Sequence, residues 1–148
     1  MIKTSKEKAI ESFKSGLNCA QAVLTSFSEE LGFDEEFALR TSCGFGGGMG
    51  RMGGTCGAVT GSYMVLGMIN CKKFTDNKDR KEATYRMVQN FTEKFKIIHG
   101  TTDCHSLMNC EIITEEGYRY AAENNLFEKV CEKCIEDSIR IIGEVKGN

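Results

Sequence analysis

The chain contains no proline, and its apolar residues recur every three or four positions rather than alternating. That period belongs to helices with one buried stripe, and few segments offer the period of two that a half-buried strand needs. Cap signals divide the pattern. Thr4 with Glu7 forms a capping box before a helix over about residues 5–15, with Gly16 beyond its end. Asn18 with Gln21 opens a second helix running to Gly32, with Ala20, Val23, Leu24, Phe27 and Leu31 on its stripe. Asp34 caps a shorter helix carrying Phe37, Ala38 and Leu39. A glycine-rich loop, Gly44 to Gly54, follows, and Thr55 is the expected N-cap of a helix reaching about Asn70. The longest helix spans Asn77 to His99, with Ala83, Met87, Phe91, Phe95 and Ile98 on one face. Asp103 caps a turn through Leu107, and a helix from about Thr114 to Glu123 comes next. The last runs from about Cys131 to Val145, with Ile135, Ser138, Ile139, Ile142 and Val145 inward. The expectation is an all-α, single-domain compact helical bundle over residues 1–148.

Charge narrows the function. The formal net charge is −2, with basic and acidic residues mixed along the chain, so no footprint for nucleic acid exists. The stretch 1–16 is dotted with Lys3, Lys6, Glu7, Lys8 and Glu11 and holds no signal-peptide core. The apolar run Ala58 to Ile69 is too short to span a bilayer and reads as a buried core helix. A cytoplasmic location is expected, and there cysteines stay reduced. The eight cysteines therefore point to redox chemistry or metal binding before structural disulfides.

Four of them, Cys19, Cys56, Cys104 and Cys131, fall where the local pattern starts a helix. Free N–H groups and the dipole of a helix N-terminus stabilise a thiolate. Cys56 also ends the glycine-rich run, whose Gly48-Met-Gly-Arg-Met-Gly53 fits G-x-G-x-x-G. A dinucleotide fingerprint needs a preceding strand, and the segment Phe37 to Arg40 reads as helix. The loop is either a tight connector or a cradle, with Gly46, Gly47, Gly48 and Arg51 around the Cys56 sulfur or a bound anion. Gly57, Ala58 and Gly61 let another helix approach closely. Cys131-Glu-Lys-Cys134 is the single C-x-x-C, and Ile135 stands where c-type haem attachment needs histidine. Cys134 reads as a buried core cysteine, as do Cys71, Cys43 and Cys110. His105, beside Cys104, is expected to be exposed at its helix start, with a ligand or base as the alternative reading. The separated cysteines argue against a zinc ribbon and leave a thiol pair or an iron–sulfur cluster held by Cys19, Cys56, Cys104 and Cys131.

The chain resembles the family of small redox-active proteins labelled C–GCAxxG–C–C. The matching stretches are Asn18 to Leu24, Phe45 to Gly61 with Met64 to Gly67, Cys104 with Leu107, and Cys131 leading into Asp137. The local order here is Cys56-Gly-Ala-x-x-Gly61. The resemblance implies that the characteristic cysteines are Cys19, Cys56, Cys104 and Cys131. The leading expectation is a cytoplasmic redox protein, an oxidoreductase or electron carrier with Cys56 as central thiolate and an unidentified redox partner. The alternatives are a metal-binding module, with iron–sulfur ahead of zinc, and a non-catalytic helical interaction or anion-binding protein. A homo-oligomer is left open.

Overall fold

A computed structural model describes residues 2–147. It is all-α, and the capping chemistry accounts for most helix starts. Helix α1 (Ser5–Lys14) opens on the Thr4–Glu7 capping box and α2 (Cys19–Thr25) on the Asn18–Gln21 box. Each such cap contributes about 1 kcal/mol. The stripe beyond α2 does not continue as one helix. Phe27 leaves helical geometry (φ −101°, ψ 0°), and a separate turn α3 (Ser28–Leu31) follows, closed by left-handed Gly32. The break lets Phe27 turn into the core, where it is buried. Helix α4 (Glu35–Ser42) is capped by Asp34 and leads through a 3₁₀ turn, Cys43–Phe45, into the glycine loop and its short turn α5 (Gly46–Met49).

Helix α6 (Gly57–Lys73) is the central element, packed against α2, against α7 (Asn77–His99) and against α10 (Glu132–Lys146). Its N-cap is Cys56 itself and not Thr55. Thr55 instead forms a single antiparallel bridge to Asp103. Gly57 and Gly61 let α6 close onto α2. A Cβ at Gly57 would sit 3.0 Å from the Ala20 nitrogen, and one at Gly61 would sit 2.9 Å from the Ala20 carbonyl oxygen. Ala83, Met87, Phe91 and Phe95 of α7 are buried as their spacing requires, but Ile98 is exposed, beyond the reach of the core. On α10 Ile141 takes the buried place expected of Ile139, which stays half-buried. Helices α8 (Cys104–Met108) and α9 (Glu115–Glu123) complete the chain.

The entry to α10 departs from expectation. Residues Phe127–Cys131 form a π-helical turn that runs directly into α10, so Cys131 lies inside a continuous helical stretch and has no N-terminal amides to itself. Such turns widen the helix by one residue and shift the side chains that follow.

Two apolar clusters result. The larger gathers Val23, Val59, Leu66, Phe91, Phe95, Ile135 and Ile142, and the smaller gathers Cys104, Met108, Ile112 and Ala121. Val130 and Cys131 touch both. No helix among the described residues is long and apolar enough to cross a membrane.

Candidate functional site

The seam between the two clusters is where the sulfur collects. A cavity of about 270 Å³ is lined by Cys19, Cys56, Cys104, Cys131 and Cys134 together. Cys19, Cys56 and Cys134 belong to the larger cluster, Cys104 to the smaller, and Cys131 packs against both. Cys43 and Cys71, expected in the core, are exposed, since each sits at the solvent side of a helix end. Cys110 is half-buried. His105 is exposed, as its place at a helix start requires.

Each cysteine is placed by a different local device. The Asn18 cap presents Cys19 as the first residue of α2. The glycine loop positions the other two. Left-handed Gly48 (φ +67°) brings the chain so close to α8 that a Cβ there would lie 2.7 Å from the Cys104 Cβ. The Gly54 and Gly53 carbonyls then accept the Cys104 and His105 amides at 2.7 and 3.1 Å. The Cys56 amide is itself held by the Thr102 carbonyl at 2.7 Å. Cys131 and Cys134 stand one turn apart along the π turn and α10.

Several of the loop's amides are spent within the loop. The N–H groups of Gly50, Arg51, Gly53 and Gly54 donate to the Gly44, Gly46, Gly47 and Gly48 carbonyls, so those donors are already bonded. Of the loop residues expected to bind a cofactor, Gly47 and Arg51 line the cavity. Gly46 packs against Asn18, and Gly48 against Gly54 and Cys104.

Cysteine acidity separates into two kinds. The Cys56 thiol is lowered, first by a hydrogen bond from the Cys134 thiol and then by the Ala58 and Val59 amides. Burial opposes them and does not prevail. The amides act from outside regular cap geometry, for the Cys56 side chain makes no formal cap bond. Cys134 is raised by the same contact, then by burial and by the charges of Cys56, Cys131 and Asp137. Cys19 is held well above the ordinary thiol value by its contact with Cys131 and by burial. Burial, followed by the charges of Cys56 and Cys131, lifts Cys104 to about 12. Cys131 also lies 3.7 Å from the Met108 sulfur.

One alkaline consequence is open to measurement. Cys19, Cys104 and Cys134 have folded values above the ordinary 9.0. Their contribution to stability is complete below that value and is lost as pH rises from about 9 toward 12. The reduced protein should therefore unfold at a lower urea concentration at pH 10 than at pH 7.5. A Cys104→Ala variant should be less stable throughout but show a shallower fall. An identical slope in the two proteins would contradict this account of Cys104.

Cys134 is the residue that spacing undervalued. It is buried as expected, yet it also meets Cys56. The readable signal was the C-x-x-C itself, because positions three apart on a helix share a face. Asp137, one turn beyond Cys134 and 3 % exposed, is a second such residue. His99 Nε2 approaches its carboxylate at 2.9 Å, and Lys133 and Arg140 each reach it at 3.2 Å. Burial pushes this carboxyl up, but the bonds from Arg140 and Lys133 outweigh burial and leave it lowered. The anchored carboxylate ties the end of α7 to α10 beneath the sulfur site.

Among the described residues, no group of three or more histidine, cysteine, aspartate or glutamate side chains is arranged to hold a metal ion. The sulfurs instead meet in twos, Cys56 with Cys134 and Cys19 with Cys131. The pairs are not isolated, for Cys19 also feels the charges of Cys56 and Cys134, and Cys104 those of Cys56 and Cys131.

The family model described as "Putative redox-active protein (C_GCAxxG_C_C)" matches residues 17–145. The chain is similar to an uncharacterized protein of Archaeoglobus fulgidus, with 25% identity over 127 residues, covering 80% of this chain and 84% of that protein. No solved structure matches.

Proposed function

This chain belongs to the C_GCAxxG_C_C family, and we propose that its chemistry is dithiol–disulfide exchange at the shared cavity. The observation that carries the proposal is that Cys56, at the N-terminus of α6, and Cys134 line one cavity, where the interaction between them favours the thiolate at Cys56 and the protonated thiol at Cys134. Exchange needs a thiolate to attack and a second thiol that stays protonated until the first bond has formed. Cys56 has the first character and Cys134 the second.

The steps follow from those roles. The Cys56 thiolate attacks one sulfur of a disulfide substrate, and the substrate S–S bond breaks. The departing sulfur leaves with the electron pair as a thiolate, and Cys56 is left in a mixed disulfide. The negative charge on Cys56 that held the Cys134 proton is now gone. Cys134 gives up its proton to the departed thiolate and attacks the Cys56 sulfur. The second substrate thiolate leaves, and the protein retains a Cys56–Cys134 disulfide. Two electrons have passed from the dithiol to the substrate. The Cys19–Cys131 contact places a second dithiol beside the first.

The test is bridge mapping. The reduced protein, treated with a small disulfide and digested without reductant, should yield a peptide pair joined through Cys56 and Cys134. Before oxidation, Cys56 should alkylate with iodoacetamide at pH below the free-thiol value of about 8.5, and Cys134 last of all. Bridges that avoid Cys56, or equal labelling at the two sites across pH, would sink the assignment. A brown protein rich in iron and sulfide after anaerobic purification would replace it with the cluster reading.

A further inference from the structure

The cavity carries a charge pattern that the thiol chemistry alone does not explain. Its lining is mostly apolar, with Phe13, Leu17, Ile112 and Phe127 among the side chains over the sulfurs. No aspartate, glutamate, lysine or histidine lines it. The one charged residue there is Arg51. Its guanidinium lies 4.3 Å from the centre of the Tyr118 ring, which also lines the cavity. Among the described residues Arg51 makes no ion pair, so its fork of donors is unspent on any carboxylate of the chain. Its backbone is in the left-handed region at φ +67°. A non-glycine residue is held there at some cost, and such residues gather at binding sites. The loop's own hydrogen bonds keep it in place.

Resting on the exchange reading above, we infer that Arg51 makes this cavity a site for small organic disulfides bearing a carboxylate or other acidic group. The guanidinium takes the anion at the mouth, the apolar walls take the carbon chain, and the sulfur end lies toward Cys56. Guanidinium suits this role because its planar donors match a carboxylate two at a time. The size and burial of the site favour a small molecule over a folded protein. The volume lies below the span of about 300–1,000 Å³ usual for drug-sized ligands. Cys56 is only 6 % exposed, so a cysteine fixed on another protein's surface does not reach it without insertion. The reaction is the one already balanced: the anionic disulfide RS–SR takes two electrons and leaves as one RSH, carrying the Cys134 proton, and one RS⁻, and the dithiol becomes Cys56–Cys134.

Alkylation tests the anion site without requiring exchange. Iodoacetate and iodoacetamide displace iodide at the same thiolate and differ in charge. The ratio of the iodoacetate rate to the iodoacetamide rate at Cys56, which divides out any change in thiolate fraction, should fall at least tenfold in Arg51→Gln. Arg51→Lys should keep most of the preference, since it keeps the charge. In the wild-type protein, raising salt from low concentration to about 0.5 M should erode the preference by screening, a readout that needs no variant. A ratio that neither substitution nor salt alters would overturn the proposal. The second arm compares disulfides. 3,3′-Dithiodipropionate should oxidise the reduced protein faster than cystamine or 2-hydroxyethyl disulfide, and Arg51→Gln should level the three. Oxidation by protein disulfides alone, with all three small compounds inert, would also overturn it. A charge preference in alkylation with no bridge formed by any disulfide would retain the anion site and remove the exchange reading on which the substrate class rests.

Discussion

With Cys134 replaced by serine, a mixed disulfide should accumulate on Cys56 and persist at least a hundredfold longer than in the wild-type protein. Serine keeps an O–H that can donate to the Cys56 thiolate, so the attack on substrate is preserved while the resolving sulfur is gone. Alanine at the same place removes the donor as well. In Cys134→Ala the Cys56 thiol should become less acidic, its pKa rising toward the ordinary value, and the first step should slow at neutral pH. The measurement is intact mass against time after mixing reduced protein with a small disulfide, followed by peptide mapping of the adduct. Adducts that resolve at the wild-type rate in Cys134→Ser would assign the second sulfur to another cysteine. Cys19 and Cys104 would be the alternatives, since each is near enough to Cys56 to feel its charge.

The other large effect is expected at Gly48. Valine there should destabilise the protein by about 3 kcal/mol or more. Two costs combine, a β-branched residue forced to φ +67° and a Cβ placed 2.6 Å from the Gly54 backbone. Strained backbone and overpacking each cost about 1–3 kcal/mol. Neither clash can relax easily, because Gly48 and Gly54 are tied by a 2.8 Å hydrogen bond and the Gly54 carbonyl also holds Cys104. Gly44→Ala is the control. Gly44 has nothing within 4 Å of an added Cβ, so its replacement should shift stability by less than about 1 kcal/mol. Urea titrations followed by circular dichroism decide between them. Equal midpoints for the two variants would show that the loop is a spacer with no close packing.

The helical plan was readable because caps are local. Thr4, Asn18, Asp34 and Asp103 each accept an amide within the next three residues, and each sits where its side chain promised. What spacing could not supply was anything set by distant partners. The break at Phe27 depends on the core it turns into. The π turn before Glu132 removes the helix start that spacing places at Cys131. The exposure of Cys43 and Cys71 depends on which helix ends the bundle leaves uncovered. The meeting of Cys56 with Cys134 joins residues that share no local pattern, so a reading by helix starts finds Cys56 and passes over its neighbour. The glycine run is conspicuous, but its backbone contact with α8 is set by a partner distant in the sequence.

The position of the sulfur between two apolar clusters has a mechanical consequence. A cysteine deep inside one rigid core could exchange neighbours only if that core came apart. Here Cys56 and Cys134 belong to the larger cluster but open on the cavity where it meets the smaller one, made of Cys104, Met108, Ile112 and Ala121. A sulfur that changes partner there moves into space that is already empty, and the packing behind it stays in place.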